Sequence, residues 1–233
     1  MKILQSFTEG PETCEYLHDR QSTMSYDVVA HLTPTEYEER MNQGWRKFGM
    51  FLFRPVCTAF QECRPIRVPL AQFNPDRSQQ RAEKKNSDLR VCFAPPSVDE
   101  ARMALYTRYH AAQAARKGWP DRDRDAYSYA MQFVHNPLPS VEISVWQENI
   151  LRAVALTDIT PNVVSGIYHY HDPDERERSL GTFVILQTLA LAQRLGKSHV
   201  YLGYYVEGCS SMVYKNRFRP CEILHADNVW RPL

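Results

Sequence analysis

The sequence predicts a mixed α+β protein with a smaller N-terminal α+β unit over residues 1–95 and a larger unit over 96–233. Three observations carry this expectation. The stretch APPS, Ala94 to Ser97, is a linker signal between segments of different character. Beyond it, three strand-like runs, VEISVWQ, ILRAVALTD and VVSGIYHYHD, arrive in succession and are followed by one strongly apolar helix and a further strand. Before it the charge is uneven, with eight acids against three bases from Met1 to Gln43 and ten bases against four acids from Gly44 to Arg90.

Each element has a local reason. Thr33-Pro34-Thr35-Glu36 sets an N-cap, a first-turn proline and a reach-back glutamate at capping-box spacing, so a helix is expected from there to about Gly44. FGMFLFRPVC reads as a strand stopped by Pro55, and RPIRVPLAQF as a second strand whose prolines push it to a sheet edge. SQQRAEKKN is a polar turn or short helix, and DLRVCF a further strand. Ser97 with Glu100 forms a second capping box, opening a helix that buries Met103, Leu105, Tyr106 and Tyr109 and stops at Gly118. GWPDRDRDAYS is a solvated loop by composition, and a helical YAMQFV piece follows it. Gln147-Glu148-Asn149 is short enough to join two strands as a hairpin. Ser179 to Gly196 is a helix apolar on most sides, with Ser179 as its cap; HVYLGYY is a buried strand and SSMVYKNRF a short helix behind it.

Composition narrows the function classes. A chain of 233 residues with 43% hydrophobic and 24% charged residues can form a real core, and disorder is excluded. No run long enough for a signal peptide opens the sequence and no eighteen apolar residues occur in succession, which predicts a cytoplasmic protein without a membrane partner. Six cysteines then read as thiols or metal ligands rather than disulfides. A net charge of +1 excludes a uniformly basic nucleic-acid binder, while the basic segment after Gly44 leaves room for a local phosphate-gripping face.

The order helix, three-strand meander, buried helix, strand, helix in the second unit resembles an N-acetyltransferase-like (GNAT) domain. In that arrangement the last strand splays from the meander and opens a cleft for an acyl donor and an amine. Coenzyme A-dependent members hold a pyrophosphate on a glycine-rich turn at the start of the buried helix. Here that stretch is ERERSLGT, with Gly181 alone and with Arg176 and Arg178, so a different phosphate-bearing acyl donor is expected.

Several stretches together resemble the aminoacyl-tRNA–protein transferases, both the arginyl-transferases and the shorter bacterial aspartate/glutamate leucyltransferases. They are CEYL at Cys14 to Leu17, PTEYEERMNQGWRKFGMFLFRPVC, EC-RPIRVP, FNPDRSQQR, YHYHDPDERERSLGT and YLGYYVEGCSSMVYKNRFRP. The resemblance implies an enzyme that moves an amino acid, leucine in the short bacterial type, from charged tRNA to the α-amine of proteins beginning with Asp or Glu, marking them for N-end-rule degradation. Arginine with the same acceptors is the alternative donor. A coenzyme A-dependent N-acetyltransferase and a non-catalytic receptor for acidic N-termini are the alternatives from other classes.

Three subsites follow. The acidic side chain of the acceptor requires Arg or Lys, for which Arg54, Arg64, Arg77, Arg81 and Lys215 are candidates. The tRNA acceptor end requires phosphate contacts and a stacking surface, drawn from the 77–90 run, Arg176, Arg178, Ser179 and Gly181, and from Tyr201, Gly203, Tyr204, Met212 and Tyr214. A donated leucine requires an apolar pocket, a donated arginine a buried carboxylate, with Asp158, Asp172 and Glu207 near strand ends. Asp172 is the first candidate for a proton acceptor or amine anchor. Tyr204 and the Gly208-Cys209 turn are the other catalytic candidates, the turn as a source of backbone N–H groups for the reacting carbonyl.

An activated ester requires no cofactor. Family members carry an early Cys and then Cys-x2-Cys-x2-Cys, a set suited to zinc or an iron–sulfur cluster. This chain keeps Cys14, Cys57 and Cys63 and has Phe60 at the central position, so a metal at the three thiols requires His18 or an outside ligand, and a plain thiol cluster is the alternative. Cys92 and Cys221 read as small buried hydrophobes, and His169-x-His171 places two imidazoles on one face of a strand.

Overall fold

The computed structural model describes residues 1–58, 60–117 and 124–233. The helix stop expected at Gly118 and the first part of the polar loop after it lie outside these residues. Two sheets organise the chain. The smaller, of order β1-β2-β4-β3, is built from β1 (Lys2–Thr13), β2 (Gln21–His31), β3 (Arg46–Phe48) and β4 (Phe51–Pro55), all antiparallel. The larger, of order β12-β11-β5-β10-β9-β8-β7-β6, contains β5 (Arg64–Pro69), β6 (Arg90–Ala94), β7 (Ser140–Gln147), β8 (Ile150–Ile159), β9 (Val163–His171), β10 (His199–Tyr205), β11 (Glu222–Leu224) and β12 (Trp230–Pro232). Strands β5 and β6 come from the first 95 residues, yet both hydrogen-bond into the larger sheet.

The capping box of α1 (Pro34–Asn42) forms as its spacing predicts: Glu36 N–H donates to Thr33 Oγ1 at 3.3 Å and Thr33 N–H to Glu36 Oε2 at 2.8 Å. The aromatic run after it does not make one strand. Gly49 sits at φ +57°, where an added Cβ would stand 2.5 Å from Met131 O, so the chain turns there and folds into the β3–β4 hairpin. Strands β1 and β2 have no counterpart among the expected elements. β1 is exposed along almost its whole length and its register slips at several points, so it shows none of the apolar alternation that marks a half-buried strand.

β5 is an interior strand and not the edge strand its prolines suggested. It pairs with β10 on one side and β11 on the other, but β11 contacts only Ile66 and Arg67, so the N–H groups missing at Pro65 and Pro69 fall outside that pairing. The helices cover this sheet. α2 (Arg77–Lys85) is capped by Asp76 and packs on α5 (Leu180–Arg194), the apolar crossover between the parallel strands β9 and β10. α3 (Glu100–Lys117) starts two residues later than the Ser97 box implied, because Asp99 Oδ1 accepts from Arg102 N at 2.8 Å and takes the cap position. Ser179 likewise makes no side-chain cap; it sits at φ +55°. A short helix α4 (Ala126–Tyr129) continues into a π turn over Ala130–Val134, and the expected helix after β10 is a 3-10 turn over Val213–Arg217.

The meander β7-β8-β9, the buried α5 and the parallel β10 reproduce the GNAT-like order. A buried cluster of Val29, Leu32, Tyr37, Leu52, Val163 and Tyr201, among others, joins α1 and the smaller sheet to the larger one. Among the described residues no helix is long and apolar enough to cross a membrane.

Candidate active site

The parallel pair β9–β10 is closed for only three residues. His199, Val200 and Tyr201 face Val163, Val164 and Ser165, and then the strands part. Glycines mark the divergence. Gly166 lets the strands approach, its Cβ position 3.4 Å from Tyr201 O, and Gly203 at φ +82° supports the bulge that bends β10 away from β9 between Tyr201 and Tyr204. Where β10 ends, a cavity of about 910 Å3 opens between it, the smaller sheet and the α4 segment. Phe48, Met50, Phe53 and Met131 make its interior apolar, Tyr204 forms part of its wall, and Phe51, Glu9, Glu12 and Glu15 lie exposed along its rim. Such a volume and lining suit an amino acid with a nucleoside attached.

Lys215 lies in the gap between the parted strands. Its Nζ donates to Tyr204 O at 2.6 Å and lies 3.1 Å from Met212 Sδ, and the Cβ that Gly203 lacks would stand 3.6 Å from it. No carboxylate pairs with it among the described residues. Burial, and then the charge of Arg46, lower its pKa to about 7. Tyr214 turns its ring toward His169 at 6.3 Å.

Other expected site residues are committed elsewhere. Asp172 has both carboxylate oxygens engaged, by Arg108 at 2.7 Å and Arg152 at 2.6 Å, so it ties α3 to the end of β9 and has no free face with which to accept a proton. The Tyr204 hydroxyl donates to Gly44 O at 2.8 Å, and burial raises its pKa, which removes it as a base. The Cys209 N–H donates to Val206 O at 3.2 Å and is therefore not available to an oxyanion, while Cys209 Sγ lies 3.1 Å from Ser211 Oγ. Tyr201 is 1% exposed, bonds Asn42 and packs edge-on against Trp230 at 5.3 Å, so it stacks no base.

Arg54 sits on Trp45 at 4.9 Å, and Arg64 reaches Glu207 at 3.4 Å. Arg178 bonds Asp88 and Glu175 and donates to Lys85 O at 3.0 Å, fastening the end of α2 to the start of α5 instead of standing free for a phosphate. Gly181 leaves space for the His171 ring, whose Cε1 is 3.3 Å from its Cβ position. Arg77 and Arg81 are exposed one turn apart on α2 without an ion-pair partner among the described residues, and α2 touches the Val213–Arg217 turn through Gln79, which donates to Arg217 O at 3.0 Å.

The side chain that the sequence reading missed is Arg46. It lies on β3 opposite Phe53, which lines the cavity, and is itself buried behind that lining at 4% exposure. Its Nη1 bonds Trp45 O at 2.6 Å and its guanidinium stacks on Tyr201 and Tyr204 at 5.2 and 5.4 Å, but Nε and Nη2 have no partner. An arginine inside an aromatic run was the one available signal.

Burial first, then the nearby His171 and Lys215, lowers the pKa of His169 to about 3, and burial, then the charge of Arg116, lowers that of His171 to about 4. Both imidazoles are thus neutral in the fold near pH 7. The unfolded chain binds protons below about 6.5, so this stability is complete above that pH and is lost as the pH falls toward 4. We expect urea unfolding at pH 5 to show a loss of about 1–2 kcal/mol per histidine relative to pH 7, largely absent from His169→Gln/His171→Gln.

The thiols do not fit a metal as they stand. Cys14 is buried and Cys57 and Cys63 are half-buried; Arg20 stacks on Phe60 at 4.9 Å where the family's further thiol is expected. Burial, and the neighbouring Cys14, Cys57 and Cys209, push the Cys63 thiol up to about 12, which favours the protonated form a metal must displace. No group of three or more potential ligands among the described residues is arranged to hold an ion.

Comparison with known proteins adds a second line of evidence. Family models described as the N terminus and the C terminus of arginine-tRNA-protein transferase match residues 12–81 and 101–225. An aspartate/glutamate leucyltransferase of Pseudomonas fluorescens (strain Pf0-1) is 37% identical over 223 residues, 95% of this chain and 94% of the relative. Another, of Pseudomonas putida (strain GB-1), is 36% identical over the same span. Among solved structures, L-PGS from Bacillus licheniformis superimposes with a TM-score of 0.51 at 10% identity, covering 93% of this chain and 81% of that one, and FemX with 0.50 at 9%, covering 78% and 64%. These two likenesses concern the fold alone.

Proposed function

The chain belongs to the arginine-tRNA-protein transferase family and is an aminoacyltransferase, and on that premise we propose that it carries leucine, in the cytoplasm, from leucyl-tRNA to the α-amine of proteins beginning with Asp or Glu, marking them for N-end-rule degradation. One observation supports leucine over arginine. The four buried carboxylates among the described residues all have cationic partners: Asp27 with Arg40, Glu142 with Arg102, Asp158 with Lys47 and Asp172 with Arg108 and Arg152. The cavity's own acids are exposed at its rim, so a guanidinium inside would find no buried counter-charge, whereas a leucyl side chain matches the phenylalanines and methionines there.

The chemistry demands little beyond placement. The ester arrives activated, and an α-amine with a pKa near 8 is partly neutral at pH 7. Its nitrogen attacks the ester carbonyl, the C–N bond forms, the C–O bond to the terminal ribose breaks, and the proton leaving nitrogen is balanced by the one the ribose oxygen takes up. Holding the two reactants together in the cavity supplies most of the acceleration. Arg77 and Arg81 on α2, with exposed Arg217 beside them and Arg176 before α5, are suited to grip acceptor-stem phosphates, which gives binding a steep salt dependence.

The test is transfer of labelled leucine from leucyl-tRNA to peptides starting with Asp or Glu. Label should appear on the peptide amine, and arginyl-tRNA should serve at least tenfold less well. Transfer from arginyl-tRNA alone would reassign the donor, and transfer from neither would overturn the reading.

A further inference from the structure

Two buried cations flank Tyr204 and neither has a carboxylate partner among the described residues. Arg46, on β3 opposite the cavity-lining Phe53, packs its guanidinium on the Tyr204 ring at 5.4 Å with Nε and Nη2 unbonded. Lys215, 7% exposed, meets the same residue from the backbone side and donates to its carbonyl at 2.6 Å. Tyr204 itself lines the cavity. Buried donors with no acceptor are uncommon, and two neighbouring buried charges of one sign are costly unless an anion completes them.

The fold holds this arrangement in place. Arg46 is fixed by the carbonyl of Trp45 and by stacking on Tyr201. Lys215 is placed by the turn after β10, and Gly203 at φ +82° leaves the space beside its ammonium free of a side chain. The other groups near the pair do not neutralise it: burial favours the protonated, uncharged forms of Cys63, Tyr201, Tyr204 and Tyr214 and the neutral form of His169.

We propose that Arg46 and Lys215 form the receptor for the side-chain carboxylate of the acceptor's N-terminal Asp or Glu, meeting it from the ring side and the backbone side of Tyr204. This rests on the transferase reading above and names the residues that set its acceptor specificity. A carboxylate there gives the unbonded Nε and Nη2 the two acceptors that a guanidinium fork prefers, and gives Lys215 its missing counter-charge. It also sets the acceptor's α-amine near the cavity wall formed by Tyr204, separated from the anchored carboxylate by two carbon atoms in Asp and three in Glu. An uncharged Asn or Gln leaves both cations unsatisfied and is rejected on that account.

The experiment compares kcat/KM for otherwise identical peptides starting with Asp and Asn, using leucyl-tRNA, in the wild type and in Arg46→Met, Arg46→Lys and Lys215→Met. The Asp-over-Asn ratio is expected to fall about a hundredfold in each methionine variant, with partial recovery in Arg46→Lys. If a variant is too slow for that ratio, fluorescence anisotropy of labelled Asp and Asn peptides reads the same discrimination from binding, and circular dichroism checks the fold. An unchanged ratio, whatever the absolute rate, overturns the proposal. So does a raised KM for leucyl-tRNA with the ratio intact, which would assign the cations to an RNA phosphate. A wild type that transfers leucine but does not prefer Asp over Asn, or that transfers nothing, refutes the acceptor or the transferase reading itself and is visible before any variant is made.

Discussion

Replacing Asp158 by alanine is expected to cost about 3–5 kcal/mol of folding stability. Asp158 and Lys47 are each 1% exposed at the side chain and meet at 3.0 Å, joining β8 of the larger sheet to β3 of the smaller. Lys47 also donates to Asn136 Oδ1 at 2.8 Å, and Asn136 and Ser140 donate to Asp158 at 2.6 and 2.7 Å. Removing the carboxylate therefore leaves a buried ammonium without its counter-charge and two polar groups short of an acceptor. The pair's net contribution is much smaller than the damage from breaking it, because desolvation offsets most of the attraction. The double variant Lys47→Met/Asp158→Leu should accordingly recover most of the loss in chemical denaturation. Equal destabilisation in the single and double variants would show that the site depends on shape rather than charge. Because β3 also carries Phe48 into the cavity lining and Arg46 onto Tyr204, the single variant should lose transferase activity even at temperatures where it remains folded.

Residues 96–233 were the more legible part. Strands β7 to β10 are buried on one or both faces, and the hairpin, crossover helix and splayed strand follow from apolar runs punctuated by turn residues, so periodicity and composition locate them. Periodicity failed where burial does not act on the strand. β1 is exposed except at Phe7 and owes its form to pairing with β2 across the sequence, information that no local window contains. Capping followed a similar division: the Thr33 and Glu36 box formed, whereas Asp99, closer to the first buried turn, displaced Ser97. For the site, the sequence offered Lys215 for the acceptor's acidic side chain and Gly203 and Tyr204 for the tRNA end, but not the contacts that hold them, Lys215 on the Tyr204 carbonyl and the Tyr204 hydroxyl on Gly44 O. Asp172 reads as a solitary acid in HDPD until Arg108 and Arg152, 64 and 20 residues away, close on it. Arg46 reads as one of many surface cations until Tyr201 and Tyr204 cover it.

The counterpart prediction concerns Lys215, which should prove a site where function and stability oppose each other. Its ammonium is held near pKa 7 in the fold against 10.5 ordinarily, through burial first and the Arg46 charge second. Between those values the unfolded chain binds more protons than the folded one, so this lysine's penalty on stability is absent above pH 10.5, grows as the pH falls to 7 and is constant below. Lys215→Met removes the penalty but leaves Tyr204 O without its donor, an opposing loss of about 1–3 kcal/mol. The net expectation is a variant more stable than the wild type by about 2 kcal/mol at pH 7, with the advantage gone near pH 10, and with transfer to Asp-starting peptides largely lost. Urea midpoints at the two pH values measure it. A variant less stable than wild type at pH 7 would mean that the ammonium is already compensated inside the fold. That would also remove the reason for expecting an anion beside it, since an uncompensated buried cation persists in a fold when a ligand uses it.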